Sequence, residues 1–331
     1  MRQPTIGIPV NNVTTETHSH TTWHPGERSM QAMAGMRERM DVIGERALRD
    51  FLPQQHRDFY AQLPFMVAGT VDTADNPWAT LLFGEPGFVS SPDAGQLTLR
   101  TATNTLDPAT QHLRADSPIG LLGIELPTRR RNRVNGRLTH RDATGFGVQV
   151  EQTMGNCPKY IQKRDISTTP MAIRPSVQTA DVLPATARCV KNLIEASDTF
   201  FVASYADVDG HRSVDVSHRG GTPGFVQVAV DGTLTVPDFT GNNFFNTLGN
   251  ITLTGKAGLI FPDFSTGHVL QLTGRAALVL PTDHTGQYPG AERYWRLHPT
   301  QILHRKHAMP LTWQLREASP FHQSLGPWEH R

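Results

Sequence analysis

The sequence predicts a mainly β protein made of two copies of one small antiparallel β-barrel with flanking helices. Three observations carry this. Pro86-Gly87-Phe88-Val89 returns as Pro223-Gly224-Phe225-Val226, and Leu97-Thr98-Leu99 as Leu234-Thr235-Val236, both 137 residues later. Gly120-Leu121 and Asn135-Gly136-Arg137 return as Gly258-Leu259 and Thr273-Gly274-Arg275 at an offset of 138, and Lys159-Tyr160 has a looser echo in Arg293-Tyr294. Several matches in one order at nearly one offset mark a duplication. Turn residues recur every 8–15 residues between short apolar stretches, the spacing of a small antiparallel barrel. The 28 glycines and 24 prolines supply those turns.

At 331 residues the chain has room for about two domains, each able to bury a core. The divisions predicted are residues 1–52 as an N-terminal arm and helix, 53–170 as the first barrel and 171–331 as the second. A composition of 37% hydrophobic and 18% charged residues is that of a soluble globular chain. A formal net charge of +1 argues against bulk attraction to nucleic acid or to anionic lipid. No apolar run reaches the roughly 18 residues of a membrane span, and the N-terminus lacks the apolar core of a secretory signal. Cys157 and Cys189 make neither a disulfide framework nor a metal-type spacing. A reducing cytoplasm is the expectation.

Residues 1–23 are polar and read as a loosely ordered arm. Its His18 and His20, with His24, lack a carboxylate or Cys partner in register for a metal site. A helix is expected from Glu27, because Met30, Met33, Met40, Ile43, Ala47 and Phe51 recur at near-helical spacing; such a stripe reads as packing. Pro53 opens a second helix over residues 54–63. Strands are expected at 65–71, 78–83, 95–101, 119–125, 133–139 and 148–152. Asp107-Pro108 caps and opens a helix to about Arg114. A Pro-containing connection over 167–184 looks like the domain boundary, and a helix over 187–196 follows it.

The stretch over residues 213–251 concentrates chemistry. It reads as strands at 213–218 and 233–236, with Pro237-Asp238 breaking the second. Asn242 or Asn243 then caps a short helix carrying Phe244, Phe245 and Leu248, which Gly249 ends. Ser217-His218-Arg219-Gly220-Gly221 beside a helix start makes an anion cradle: a forked cation, glycines that permit close backbone approach, and free N–H groups. The competing reading is a hairpin whose polar residues face water.

Several strings resemble a known family. Trp-His-Pro-Gly-Glu at 23–27, residues 63–72, 77–88, 128–136 and 155–164, and residues 215–225 and 246–251 are similar to a bacterial subfamily of the pyridoxamine 5′-phosphate oxidase-like, FMN-binding split-barrel proteins. The resemblance implies a homodimer of split barrels with FMN between subunits, reproduced here inside one chain as a pseudo-dimer. A monomeric pseudo-dimer or a homodimer of such chains is expected. Leu81-Leu82-Phe83-Gly84-Glu85 of the first copy is set against Val216-Ser217-His218-Arg219-Gly220 of the second. The first copy then lacks the cation and hydroxyl, so the second copy's cleft is expected to hold the flavin, with one FMN per chain and a facing wall from the first copy.

FMN requires donors for a dianionic phosphate, polar partners for the ring edge and apolar walls. Ser217, His218, Arg219, Gly220, Asn243, Asn246 and Thr247 are the candidates on the second copy, while Phe245 and Leu248 read as core. Arg129, Arg131 and Arg133 alternate on a strand and so share a face that can point into the cleft, with Arg130 outward. The alternatives are a solvated hairpin tip or a nucleic-acid patch, the latter short of basic and aromatic residues. Lys159 and Tyr160 are further cofactor or substrate contacts, and Cys157 reads as structural. There is no dinucleotide-binding glycine fingerprint after a strand, so NADH or NADPH is expected only as a diffusing donor. The function expected is an FMN-dependent oxidoreductase acting on a small molecule, with a non-catalytic flavin carrier and a nucleic-acid-binding protein as alternatives and no catalytic residue named.

Overall fold

A computed structural model describes residues 22–102, 104–167, 179–279 and 286–330. His18, His20 and the central part of the expected boundary connection lie outside the described residues. The N-terminal helical stretch is two helices, α1 (Pro25–Met33) and α2 (Arg37–Ala47). Gly35, at φ +66°, turns the chain between them, so the methionine stripe does not run along one rod. Met30 and Met40 are buried while Met33 and Phe51 are exposed. His24 has a structural role: its Nδ1 accepts from the Gly26 and Glu27 N–H groups, and Glu27 accepts from the His24 N–H, a reciprocal cap of α1.

The first half contains α3 (Gln54–Ala61), β1 (Phe65–Val71), β2 (Pro77–Phe83), β3 (Val89–Ser90), β4 (Gln96–Leu99), α4 (Pro108–Gln111), β5 (Pro118–Glu125), β6 (Arg130–Arg141) and β7 (Phe146–Gly155). After β8 (Lys163–Ile166) and β9 (Ala180–Val182) come α5 (Arg188–Ala196), β10 (Thr199–Val208), β11 (His211–Gly220), β12 (Gln227–Val228), β13 (Leu234–Phe239), α6 (Asn246–Thr254), β14 (Lys256–Pro262), β15 (Val269–Val279), β16 (Gly286–Gln287) and β17 (Ala291–Arg305). β18 (Trp313–Glu317) pairs with β8, and β19 (Glu329–His330) with β16. The two large sheets run β2-β1-β5-β6-β7-β4-β3 and β11-β10-β14-β15-β17-β13-β12. With β16 set aside they have one strand order, and in both a helix precedes the first strand and another lies between the fourth and fifth. Among the described residues no helix is long and apolar enough to cross a membrane.

The sheets share a core between them. Met66 and Ala68 of β1 face the first barrel's interior, and Phe200 and Val202 of β10 face the second's. The alternate residues Phe65, Val67, Phe201 and Ala203 meet in a third cluster with Ile260 and Trp313. Strands buried on both faces in this way lock the barrels together. Two glycines make the contact reciprocal. A Cβ on Gly120 would meet the Val214 carbonyl at 2.6 Å, and one on Gly258 would meet the Pro77 carbonyl at 2.0 Å. Since Gly120 and Gly258 are repeat partners, as are Pro77 and Val214, each half offers the other the same surface, as in a two-fold interface.

Two local expectations are corrected. Pro237 and Asp238 continue β13, paired with Tyr294 and Arg293 of β17. On the other edge β12 reaches only Leu234 and Thr235, so the missing N–H of Pro237 faces no ladder partner. Gly249 does not end α6, which runs on to Gly255 at φ +65°. Gly249 instead lets α1 cross closely: a Cβ there would meet the Glu27 N at 2.6 Å, and one on Gly26 would meet the Gly249 carbonyl at 2.1 Å.

Candidate functional site

A cleft of about 860 Å³, counting its open mouth, lies where the halves meet. Strand alternation carries Arg131 and Arg133 of β6 onto its wall. The facing wall is Ser217, His218, Arg219 and Gly220 at the end of β11. Asn243, Phe245, Asn246, Thr247 and Leu248, where the chain enters α6, form the floor, with Asn156, Cys157, Lys159 and Tyr160 at the side. The expected residues thus converge, except Arg129. Its φ is +60° and it precedes β6, so the alternation does not reach it; its side chain binds Ile161 O, Glu317 and Ala318 O. Arg130 points outward as expected, onto the Phe59 ring and Gln55 O.

The cleft has more cation than carboxylate. Arg133, 4% exposed, reaches Asp215 Oδ1 at 3.1 Å, Asn246 Oδ1 at 2.8 Å and the Ser217 hydroxyl. Arg219 shares Asp238 with Arg293, at 3.5 and 3.0 Å. Arg131 makes no ion pair among the described residues; its Nε donates to Cys157 O at 2.6 Å. Burial, with Arg133 and Arg219 adding repulsion, pulls the Arg131 guanidinium down to about 9. It remains a cation at neutral pH, one without an anionic partner among the described residues. Arg133 Nε, Arg219 Nε, Asn156 Oδ1 and His218 Nε2 are buried without a hydrogen-bond partner among the described residues. Burial first, then the Arg131 and Arg219 charges, hold His218 well below its ordinary value, so it is a neutral imidazole rather than a second cation. Ser217 Oγ accepts from Arg133 Nη2 and from Thr247 Oγ1 at 3.2 Å, which leaves its own hydrogen for a ligand.

The glycines of the cradle serve the chain itself. A Cβ on Gly220 would meet the Tyr160 carbonyl at 2.1 Å, and one on Gly221 would meet the Phe225 ring at 2.4 Å. Tyr160, at φ +66°, packs against Phe239 and Phe321, and Lys159 Nζ lies 5.3 Å over the Phe321 ring. The floor is strained: Asn243 and Phe245 take φ of +61° and +59°, a conformation that costs a non-glycine residue roughly 1–2 kcal/mol. Phe245 rather than an Asn is the N-cap of α6, which has no side-chain cap. Its leading N–H groups therefore point toward the cleft without a side-chain acceptor. Leu248, read from sequence as core, is buried in the second barrel's core with Phe245 packed against it, and both also border the cleft.

Several residues escaped the sequence reading. Asp215 gathers Arg133, Asn135 and Asn250. Glu27, from α1, is 4% exposed and accepts from Asn246 Nδ2. Burial, then Asp215, pushes the Glu27 carboxyl up to about 8. Asp215 touches Arg133 directly, while Glu27 reaches it only through Asn246 and keeps its proton at neutral pH.

The first half has its own version of this corner. The ladders Ala68 to Thr80 and Leu121, and Val202 to Ser217 and Leu259, make Thr80 the counterpart of Ser217 and Leu82 that of Arg219. The alignment of Leu81–Glu85 expected from sequence is two residues off, and the first half keeps the hydroxyl while lacking the cation. There Asp107 caps α4 through Ala109 N at 3.0 Å. Its carboxylate also holds Arg305 at 2.7 Å, Gln271 Nε2 at 3.0 Å and the Thr80 hydroxyl.

No curated protein matches the chain. Among solved structures, it is similar over 39% of its length to 98% of the FAD binding protein from Mycobacterium smegmatis (15% identity, TM-score 0.26). It is similar over 43% to 90% of a candidate 5-nitroimidazole antibiotic resistance protein from Bacteroides thetaiotaomicron (10%, 0.26). A candidate pyridoxamine 5′-phosphate oxidase from Corynebacterium glutamicum matches over 39% of this chain and 94% of its own (16%, 0.26). At these TM-scores the likenesses are too slight to bear on function. Residues 52–176 match the family model described as pyridoxamine 5′-phosphate oxidase, and the second half repeats the strand order of the half that matches.

Proposed function

We propose that the cleft between the halves binds flavin mononucleotide non-covalently and that the protein is a flavin-dependent oxidoreductase acting on a small molecule. The observation that carries this is the surplus of donors at the start of α6: Arg131 without a carboxylate, Arg133 and Arg219 with unused Nε groups, and an uncapped helix end. A dianionic phosphate answers that surplus. The residues present suit the group, with Ser217, Arg131, Arg133, Arg219 and Thr247 toward the phosphate. Asn243 and Lys159 are placed for polar atoms, and Tyr160, Phe245 and Leu248 for apolar surface. When bound, the isoalloxazine supplies the redox chemistry; the chain binds, orients and keeps a neutral His218 at the wall.

NADH or NADPH enters in this reading as a diffusing donor. Residues 129–133 are engaged with the chain's own groups rather than arrayed on the surface, which favours a small-molecule ligand over nucleic acid. The reciprocal glycine contacts favour a monomeric pseudo-dimer, and the free Cys157 and Cys189 suit a reducing cytoplasm. The test is the absorbance of the purified protein, chromatography of the released flavin to separate FMN from FAD, and anaerobic addition of NADPH or NADH. A yellow protein that bleaches supports the oxidoreductase. Flavin that never bleaches with either donor favours a carrier, and a colourless protein that takes up no FMN overturns the reading.

A further inference from the structure

The floor of the cleft is held from outside it. Asn243 and Phe245 both sit at positive φ; locally the turn is held by Asn242 Oδ1, which accepts from the Phe244 N–H at 3.2 Å, while α6 has no side-chain cap. Three contacts from the N-terminal helices reach this turn. Trp23 packs on Phe244 with ring centroids 5.0 Å apart, and its indole N–H is tied to Met40 O at 2.9 Å. Glu27 accepts from Asn246 Nδ2, and Asn246 Oδ1 in turn accepts from Arg133 Nη1 at 2.8 Å. The paired glycines Gly26 and Gly249 bring α1 close enough for that contact. Glu27 is not part of the cleft wall.

We infer that α1 and α2 act as a clamp that sets the shape of the 242–247 floor, with Glu27 as its positioning residue through Asn246. The chain between β13 and α6 then takes its ligand-ready form only while the clamp is docked. Ligand affinity is thereby coupled to the seating of a helix that touches no ligand. The inference rests on the flavin reading for its affinity readout but not for its structural one.

The experiment compares wild type, Glu27→Gln, Glu27→Leu and Gly249→Ala. Gln keeps an acceptor for Asn246; Leu fills the same space without one. Gly249→Ala leaves every polar group in place but sets a methyl against the Glu27 backbone. Hydrogen exchange of the ligand-free proteins reads the clamp directly. Residues 242–248 should exchange at least about tenfold faster in Glu27→Leu and Gly249→Ala than in wild type or Glu27→Gln. FMN titration should show the same split, with affinity lowered about tenfold in the first two and within roughly threefold of wild type in Glu27→Gln. Unchanged exchange at 242–248 in Gly249→Ala and in Glu27→Leu overturns the clamp, as does a Gln variant no better than Leu. If Glu27→Leu does not fold, Gly249→Ala against Glu27→Gln decides alone. Should wild type bind no FMN, the flavin reading fails while the exchange comparison still decides the clamp.

Discussion

The two halves place the same kind of corner at the same point of one fold and leave it in opposite states. In the first half the start of α4 is filled by the chain itself: Asp107 meets Ala109 N, Thr80, Gln271 and Arg305, and all of these residues are buried. In the second half no carboxylate caps the start of α6 among the described residues, although Glu27 reaches its first residue through the Asn246 side chain. Phe245 stands where Asp107 does, Ser217 where Thr80 does, and Arg133 where Gln271 does. The lesson is that duplication need not lose a site by losing its shape. A single anionic side chain at the helix cap supplies internally what a ligand's anion would supply, and the corner becomes part of the core. The other corner leaves the Nε groups of Arg133 and Arg219 and the start of α6 unanswered among the described residues.

The largest effect should separate stability from binding. Arg133→Leu and Arg305→Leu each strand a buried carboxylate, Asp215 or Asp107. Each should cost about 3–5 kcal/mol in denaturant unfolding. Only Arg133→Leu should also abolish FMN uptake by the variant that remains folded. Loss of FMN in both would break the comparison.

Next is stoichiometry. Acid release of flavin against protein concentration should give a ratio near one per chain. A ratio near two would mean that the Asp107 corner opens to a ligand.

Arg219→Ala should weaken FMN binding by about 1.5–3 kcal/mol, the range of a charge-assisted hydrogen bond. Arg293 remains on Asp238 at 3.0 Å, so thermal stability without flavin should hardly move. An unaltered dissociation constant would remove Arg219 from the ligand.

The smallest effect lies in pH. Burial holds the Glu27 carboxyl at about 8 against an ordinary 4.5. Between those values the unfolded chain binds fewer protons than the folded one, so this group's contribution is whole below about pH 4.5 and is lost as pH rises through about 8. In Glu27→Gln the decline of the melting temperature between about pH 4.5 and 8 should flatten. If the decline persists unchanged, Glu27 is ionised at neutral pH.

Some of this was legible in residue order. The offset of 137–138 announced two copies of one barrel, because repeated turn and strand residues need no tertiary information to be seen. Ser217, Arg219 and Thr247 were legible for the same reason: a strand end and a helix start lie side by side in the chain. Alternation placed Arg131 and Arg133 together, yet it misplaced Arg129, where a positive φ ends the strand before it reaches that residue. The register of the first half was read two residues off, since only hydrogen-bonded ladders set which residue opposes which.

What the sequence by itself determined is the repeat, the strand-rich class and the residue types around α6. Composition and spacing act locally, and these are local properties. Tertiary structure alone decided that Glu27 and Asp215 stand behind the cleft, on Asn246 and Arg133, and that Asp107 is answered by Arg305 at a separation of nearly two hundred residues. It also decided that Gly220 and Gly249 serve close contacts of the chain with itself. The physical reason is that buried charge is settled by whichever groups packing brings within hydrogen-bond reach, and that pairing has no periodicity along the chain.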